Sequence, residues 1–273
     1  MLSYQHMYHA GSLADVHKHI LLARALTHMT RDSSPMLYAE THSGRGRYNL
    51  DAPEAQKTGE AAAGIDTLLR DKRLDPDEPF LTALRRFQGQ NKRLYPGSPS
   101  IAAKMLRRED MLWLWELHPR EHAVLQRLFA RERRTQVFNA DGTLGLPMRL
   151  PPKAATPKRG LILIDPSYEL KGEYETLPSF IRRLRQRWPQ GAGMLWYPML
   201  PALRHEAMVA AIRDNHNDLQ QHEAIWSEPY AARGLYGSGV VYWGLSVKAM
   251  SPPTFTIPSL LHSGASLGDP ASL

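Results

Sequence analysis

Four apolar residues, Leu161-Ile162-Leu163-Ile164, run directly into Asp165-Pro166-Ser167-Tyr168. A short unbroken apolar run of this kind reads as a strand buried on both faces, as in a parallel sheet covered by helices. Other segments follow the same plan. Met36 to Glu40 is a second buried strand that enters a turn containing Gly44 and Gly46, and strand-like runs return at Met111 to Leu117, around Val137, at Met194 to Tyr197, near Ala224 to Trp226 and at Val240 to Val247. Helical spacing of apolar residues predicts an amphipathic helix from His17 to Thr30, after a polar, His-rich arm, and another from Ser179 to Trp188. Residues 51–96 read as helices only, one over 54–69 and one over 79–90 with Asp75-Pro76-Asp77 breaking between them, and a further helix starts at Pro99. The alternation of strands and helices predicts a mostly parallel α/β sheet with helices on both faces, whose ligands bind beyond the carboxyl ends of the strands.

Composition narrows the chemistry. The 273 residues include no cysteine, which excludes thiolate catalysis, Cys-ligated zinc and iron–sulfur clusters. A net charge of +7 favours a polyanionic partner without requiring one. The basic runs Arg131, Arg133 and Arg134, then Lys153, Lys158 and Arg159, then Arg182, Arg183, Arg185 and Arg187 each read first as solvated surface. The opening Met-Leu-Ser-Tyr-Gln-His lacks a basic segment followed by an apolar run, and no stretch reaches the roughly 18 apolar residues of a spanning helix. The expectation is a cytoplasmic protein that does not engage a membrane.

Asp165, Pro166 and Tyr168 carry the strongest chemical signal. The exocyclic amine of adenine or cytosine is a poor nucleophile because its lone pair is delocalised into the ring. Acceptors aimed at its N–H groups help it pyramidalise during attack on a methyl donor. Asp165 and the Pro166 carbonyl are suited to that role, proline holding the turn through its fixed φ, and Tyr168 is placed to stack on an extruded base. The alternative makes Asp165 a cap, Pro166 a turn residue and Tyr168 a core aromatic. Gly44 and Gly46 let backbone approach a cofactor after the first strand, or simply form a tight turn. Glu116, at the end of its strand, is the candidate ribose ligand, delayed by the helical segment; an exposed strand-end carboxylate is the plain reading. Asp141-Gly142 ends the next strand, as a cofactor contact or a bare turn.

The opening Met-Leu-Ser-Tyr-Gln-His-Met-Tyr-His-Ala-Gly-Ser-Leu-Ala-Asp-Val-His-Lys-His resembles that of the bacterial 23S ribosomal RNA adenine-N6 methyltransferases of the J class. Further matches are Tyr95-Pro96-Gly97-Ser98-Pro99, Glu116-Leu117-His118-Pro119, Asp141-Gly142, residues 160–168 and Trp196-Tyr197-Pro198, so the resemblance spans most of residues 1–245. It implies a Rossmann-like, S-adenosylmethionine-dependent methyltransferase core over 1–50 and 97–250, a helical subdomain inserted at 51–96, and an irregular tail at 251–273. It implies that His19, His42, Gly44, Ser98, Glu116, Asp141, Gly142 and Asp165 line the cofactor site, that Asp165 also faces the target amine, and that Tyr4, His6 and Lys18 meet the RNA. The residues alone let Tyr4, His6, His9, His17 and His19 be a polar surface arm or a metal cluster. No metal is assigned, since no carboxylate and histidine pair has convincing ligand spacing.

Three departures stand out. Ser167 replaces the second proline of the family's Asp-Pro-Pro-Tyr, which leaves the Pro166 carbonyl and predicts an active enzyme with a looser loop. The glycine turn carries Ser43 and Arg45 where small residues are usual, and the segment after Val241 lacks the family's Asn-Pro-Pro-Trp. The expected partner is 23S ribosomal RNA and the expected state a monomer. The rival readings are a DNA adenine-N6 methyltransferase and a non-catalytic nucleic-acid-binding protein linked to the use of external DNA.

Overall fold

The computed structural model describes residues 5–153, 156–214, 216, 218–228 and 234–250. Tyr4 and the expected tail at 251–273 lie outside them. The strands are β1 (Met36–Glu40), β2 (Arg47–Asn49), β3 (Leu94–Pro96), β4 (Met111–Trp115), β5 (Thr135–Phe138), β6 (Arg159–Ile164), β7 (Gly191–Met199), β8 (Gln220–Ile225) and β9 (Gly237–Trp243). The helices are α1 (Leu13–Met29), α2 (Pro53–Thr58), α3 (Thr67–Arg70), α4 (Pro79–Gln88), α5 (Ser98–Met105), α6 (Pro119–Phe129), α7 (Gly142–Arg149), α8 (Glu173–Arg187), α9 (Arg204–Arg213) and α10 (Val247–Met250).

Seven strands form one sheet in the order β5-β4-β1-β6-β7-β9-β8. The first five run parallel, while β9 is antiparallel to both β7 and β8. The chain builds outward from β1 through β4 to β5, then returns to β6 on the other side of β1. That reversal is a topological switch point, where the loops at the strands' carboxyl ends diverge and leave room for a ligand.

Side-chain alternation explains the layers. Met36, Tyr38, Leu112, Leu114, Leu161 and Leu163 face a core shared with α1, α4, α5 and α6. Their neighbours Leu37, Ala39, Trp113, Trp115, Ile162 and Ile164 face a second core built with α7, α8 and α9. Both faces of the central strands are therefore apolar and dry, as their sequences require.

Several elements differ from the sequence reading. The expected helix over 54–69 is broken: Gly59 takes a left-handed conformation that ends α2, and a wide turn at Ala62–Asp66 follows before α3. Gly64 is the reason for the break. A Cβ there would stand 2.2 Å from the Gly11 carbonyl oxygen, and Ile65 N–H donates to that same oxygen at 2.9 Å. Residues 51–96 are not helical throughout either, since β3 pairs antiparallel with β2 and closes the segment's two ends together. Its helices are not a separate body, because Ile65, Leu68, Phe80 and Leu84 join the same core as Ile20 and Leu21 of α1. Wedged between that layer and the sheet, α1 buries His17, Lys18 and His19 along with its aliphatic residues, so these are not a polar surface arm. At the other end, Val247 opens α10 instead of closing a strand.

Gly64→Ala should lower stability by about 1–3 kcal/mol through overpacking against Gly11, despite alanine's better helix propensity. A denaturant titration that finds the alanine variant as stable as the parent would contradict this contact.

Candidate active site

The polar residues gather at the carboxyl edge of the sheet. Glu40 closes β1, Glu116 follows β4, Asp141 follows β5 and Asp165 follows β6. Asp165 is only 13% exposed, and its Oδ2 accepts from Lys18 Nζ at 2.6 Å. Lys18 is also 3.1 Å from Asp15 Oδ1, so one buried cation is shared by two carboxylates. Asp15 in turn is held by the Gly11 N–H at 3.0 Å and lies within 3.4 Å of His6 and His19. Burial pushes the Asp15 carboxyl up, yet His19, Lys18 and His6 together hold it well below the ordinary carboxylate range. Through this hub His6 and Gly11 are tied to the end of β6. Lys18, expected to meet RNA, is a correction: at 5% exposure it faces Asp165, because an ammonium inside the core needs carboxylate partners.

Tyr168 is a second correction. Its ring is buried against Tyr174 and Trp196, and its hydroxyl donates to the Trp196 carbonyl at 2.7 Å. A left-handed backbone, φ 57°, turns it inward beneath the loop, where it has no free face for a base. Pro166 is buried as well, while Asp165 and Ser167 keep partial exposure.

The glycine turn is held by its neighbours. Gly44, at φ 59°, donates its N–H to Glu116 Oε2 at 2.7 Å, and the other oxygen of Glu116 accepts from the His118 N–H at 2.7 Å. Arg45, unusual at its position, makes a two-pronged pair with Glu121 at 2.5–2.7 Å that ties the turn to α6. Ser43 N–H donates to the Trp115 carbonyl at 2.9 Å. Arg45 is therefore a structural anchor, whereas the Ser43 bond is made by backbone. Asp141 caps α7 by accepting from the Thr143 N–H, and Gly142 sits so close to Thr41 that a Cβ would come 2.3 Å from its carbonyl oxygen. His42 lies near both Asp165 and Asp141; burial lowers its pKa against the pull of the two carboxylates.

Two of the expected cofactor residues lie deeper. His19 is 1% exposed, bonded to the Tyr95 hydroxyl at 3.0 Å, and burial pushes its pKa down to about 3. Ser98, the first residue of α5, donates to Glu40. The histidines of the arm diverge, His6 toward Asp15 and Tyr48, His9 toward Glu60 and His17 toward Ser238 and His222.

Glu40 is the residue that sequence reasoning missed. It is fully buried, accepts from Ser98 and, at 3.1 Å, from the Tyr38 hydroxyl, and burial raises its pKa to about 8. A carboxylate ending an otherwise apolar buried strand was the available signal.

The site has the composition of a cofactor cradle. Two glycines leave no room for a side chain, and Glu116, Asp141 and Asp165 present carboxylates at the ends of β4, β5 and β6, with the Glu40 end of β1 between β4 and β6. Comparison with known proteins agrees. Residues 33–248 match the family described as ribosomal RNA large subunit methyltransferase D, RlmJ. This chain belongs to that family. The ribosomal RNA large subunit methyltransferase J of Escherichia coli is 40% identical over 248 residues, 88% of this chain and 86% of the relative. Its Haemophilus influenzae counterpart is 38% identical over 73% of this chain and 71% of its own length. A crystal structure of a Legionella pneumophila protein, 35% identical, superposes with a TM-score of 0.77 over 92% of this chain and 89% of that one. The fold of this RlmJ-family chain is thus the Rossmann-like α/β architecture of methyltransferases, as the sequence implied. No helix among the described residues is long and apolar enough to cross a membrane.

The raised pKa of Glu40 makes a pH prediction. Folded, Glu40 keeps its proton to about pH 8, whereas the unfolded carboxyl loses it above its ordinary 4.5. The unfolded state therefore binds fewer protons in that interval, and this residue's contribution to stability falls as pH rises through it. Urea titrations should show Glu40→Gln gaining on the parent between pH 5 and pH 8. An identical difference at both pH values would show that the carboxyl is already ionised.

Proposed function

We propose that this protein transfers a methyl group from S-adenosylmethionine to N6 of an adenine in 23S ribosomal RNA, acting as a cytoplasmic monomer. The observation that carries this reading is the Asp165-Pro166 pair at the end of β6, beside the switch point, with one Asp165 oxygen taken by Lys18. The other oxygen and the Pro166 carbonyl are the acceptors for the target amine. S-adenosylmethionine supplies the electrophilic methyl group. Glu116 is suited to ribose hydroxyls, Asp141 and Gly142 to the adenine end, and Gly44, His42, Ser98 and His19 to the methionine end, directly or through the groups they hold.

The chemistry asks little of general base catalysis. The amine becomes acidic once it begins to form its new bond, so Asp165 acts chiefly as an acceptor and takes the proton late. Lys18 keeps the carboxylate aimed, and placement and preorganised charge lower the barrier. Tyr168 supports the loop from beneath. Tyr4 and His6, in the arm, are the residues proposed to meet the RNA.

Asp165→Asn should reduce methyl transfer to protein-free 23S RNA by at least about a hundredfold, while calorimetry finds S-adenosylhomocysteine bound as in the parent. Full turnover in that variant would remove Asp165 from the mechanism. Transfer to duplex DNA in preference to RNA would favour the DNA enzyme instead, and failure of the parent to bind S-adenosylhomocysteine would favour a non-catalytic binder.

A further inference from the structure

A groove of about 550 Å³ lies between α8 and α9, on the sheet face opposite α1. Its floor includes Tyr174 and Met208, and its polar lining includes Lys171, Arg182 and Arg204. All three cations are exposed, and none has a hydrogen bond or ion pair among the described residues. This separates Arg182 from Arg185 and Arg187 of the same basic run, since Arg185 pairs with Asp218 at 2.7 Å and lies over the Trp243 ring, and Arg187 reaches the Leu150 carbonyl. Glu175 also lines the groove, leaving a net positive lining.

Position is unfavourable for stability. Arg204 is the first residue of α9, and Lys171 precedes the cap of α8, so both cations sit at helix ends that the peptide dipoles already make positive. Cations there cost stability and raise the potential at the groove's mouth. From Lys171 to Arg182 the α8 side spans about 16 Å, beginning at the catalytic edge of the sheet. The floor also touches the catalytic loop: the Tyr168 ring packs on Tyr174 at 4.7 Å between centroids, and its hydroxyl is 4.0 Å from the Met208 sulfur.

We propose that this groove carries the phosphate backbone of the RNA strand flanking the target nucleotide, an inference that rests on RNA being the substrate. Two unpaired cations, Lys171 and Arg204, at the catalytic end of the groove and a third, Arg182, about 16 Å further along α8 suit the phosphates of a strand leading away from Asp165. The contact between groove floor and Tyr168 means that a strand seated there also braces the loop bearing Asp165 and Pro166.

The test uses the full chain carrying K171A, R182A and R204A together, with the same loss of charge supplied by a control triple, R108A, R131A and R133A, from the cleft at the opposite edge of the sheet. The groove variant should show KM for 23S RNA raised on the order of tenfold, and the slope of log affinity against log salt reduced by about 2. Its kcat at saturating RNA and its affinity for S-adenosylhomocysteine should match the parent, and the control triple should leave KM unchanged. Unchanged KM and salt slope in the groove variant would overturn the proposal, as would an equal effect in the control. Fluorescence anisotropy with labelled RNA reads the groove even if the parent methylates nothing, so failure of the enzymatic reading is distinguishable: weakened RNA binding in the groove variant alone would still support the groove. A parent that does not bind RNA would overturn both.

Discussion

The structure turns on one buried ammonium. Lys18 stands between Asp15 and Asp165, and removing it would leave two carboxylates facing each other in a site with little water. Breaking such a pair costs about 3–5 kcal/mol, because the stranded charge has lost its solvation without regaining a partner. The same arrangement has a chemical product. It fixes the Asp165 carboxyl group at the end of the central strand and joins it, through Asp15, to the Gly11 backbone and to His6. Arm, helix and catalytic loop are thereby one electrostatic unit.

Around that unit the sheet supplies position. Parallel strands deliver their carboxyl ends to one edge, and the reversal at β1 opens the space between the loops. Glycines at 44 and 142 permit approaches that a side chain would block. The Glu116 bond to the Gly44 N–H and the Arg45 pair with Glu121 hold the turn in place. Preorganisation of this kind suits the proposed transfer, which needs no strong base.

Much of this was legible in sequence because buried parallel strands advertise themselves: Leu161 to Ile164 and Met36 to Glu40 can hardly be anything else. The carboxylates that follow them were legible for the same reason, their places being fixed by where the strands end. The roles of Lys18 and Tyr168 were not. Sequence spacing places a lysine on a helix but does not say that an inserted layer covers that helix, and so it does not distinguish a surface cation from a core one. Tyr168 likewise depends on a positive φ and on the distant Trp196 carbonyl. Glu40 escaped attention because the glycine turn beside it carried the stronger signal, and the break at Gly64 depends on Gly11, more than fifty positions earlier in the chain.

The proposal that the Asp165-Pro166 acceptors direct methyl transfer to an adenine amine of the large-subunit RNA can be tested in cells by nucleoside mass spectrometry of 23S ribosomal RNA with and without this protein. One N6-methyladenosine should disappear with the protein, return with the parent sequence and fail to return with Asp165→Asn. An unchanged modification pattern, or restoration by the asparagine variant, would contradict it.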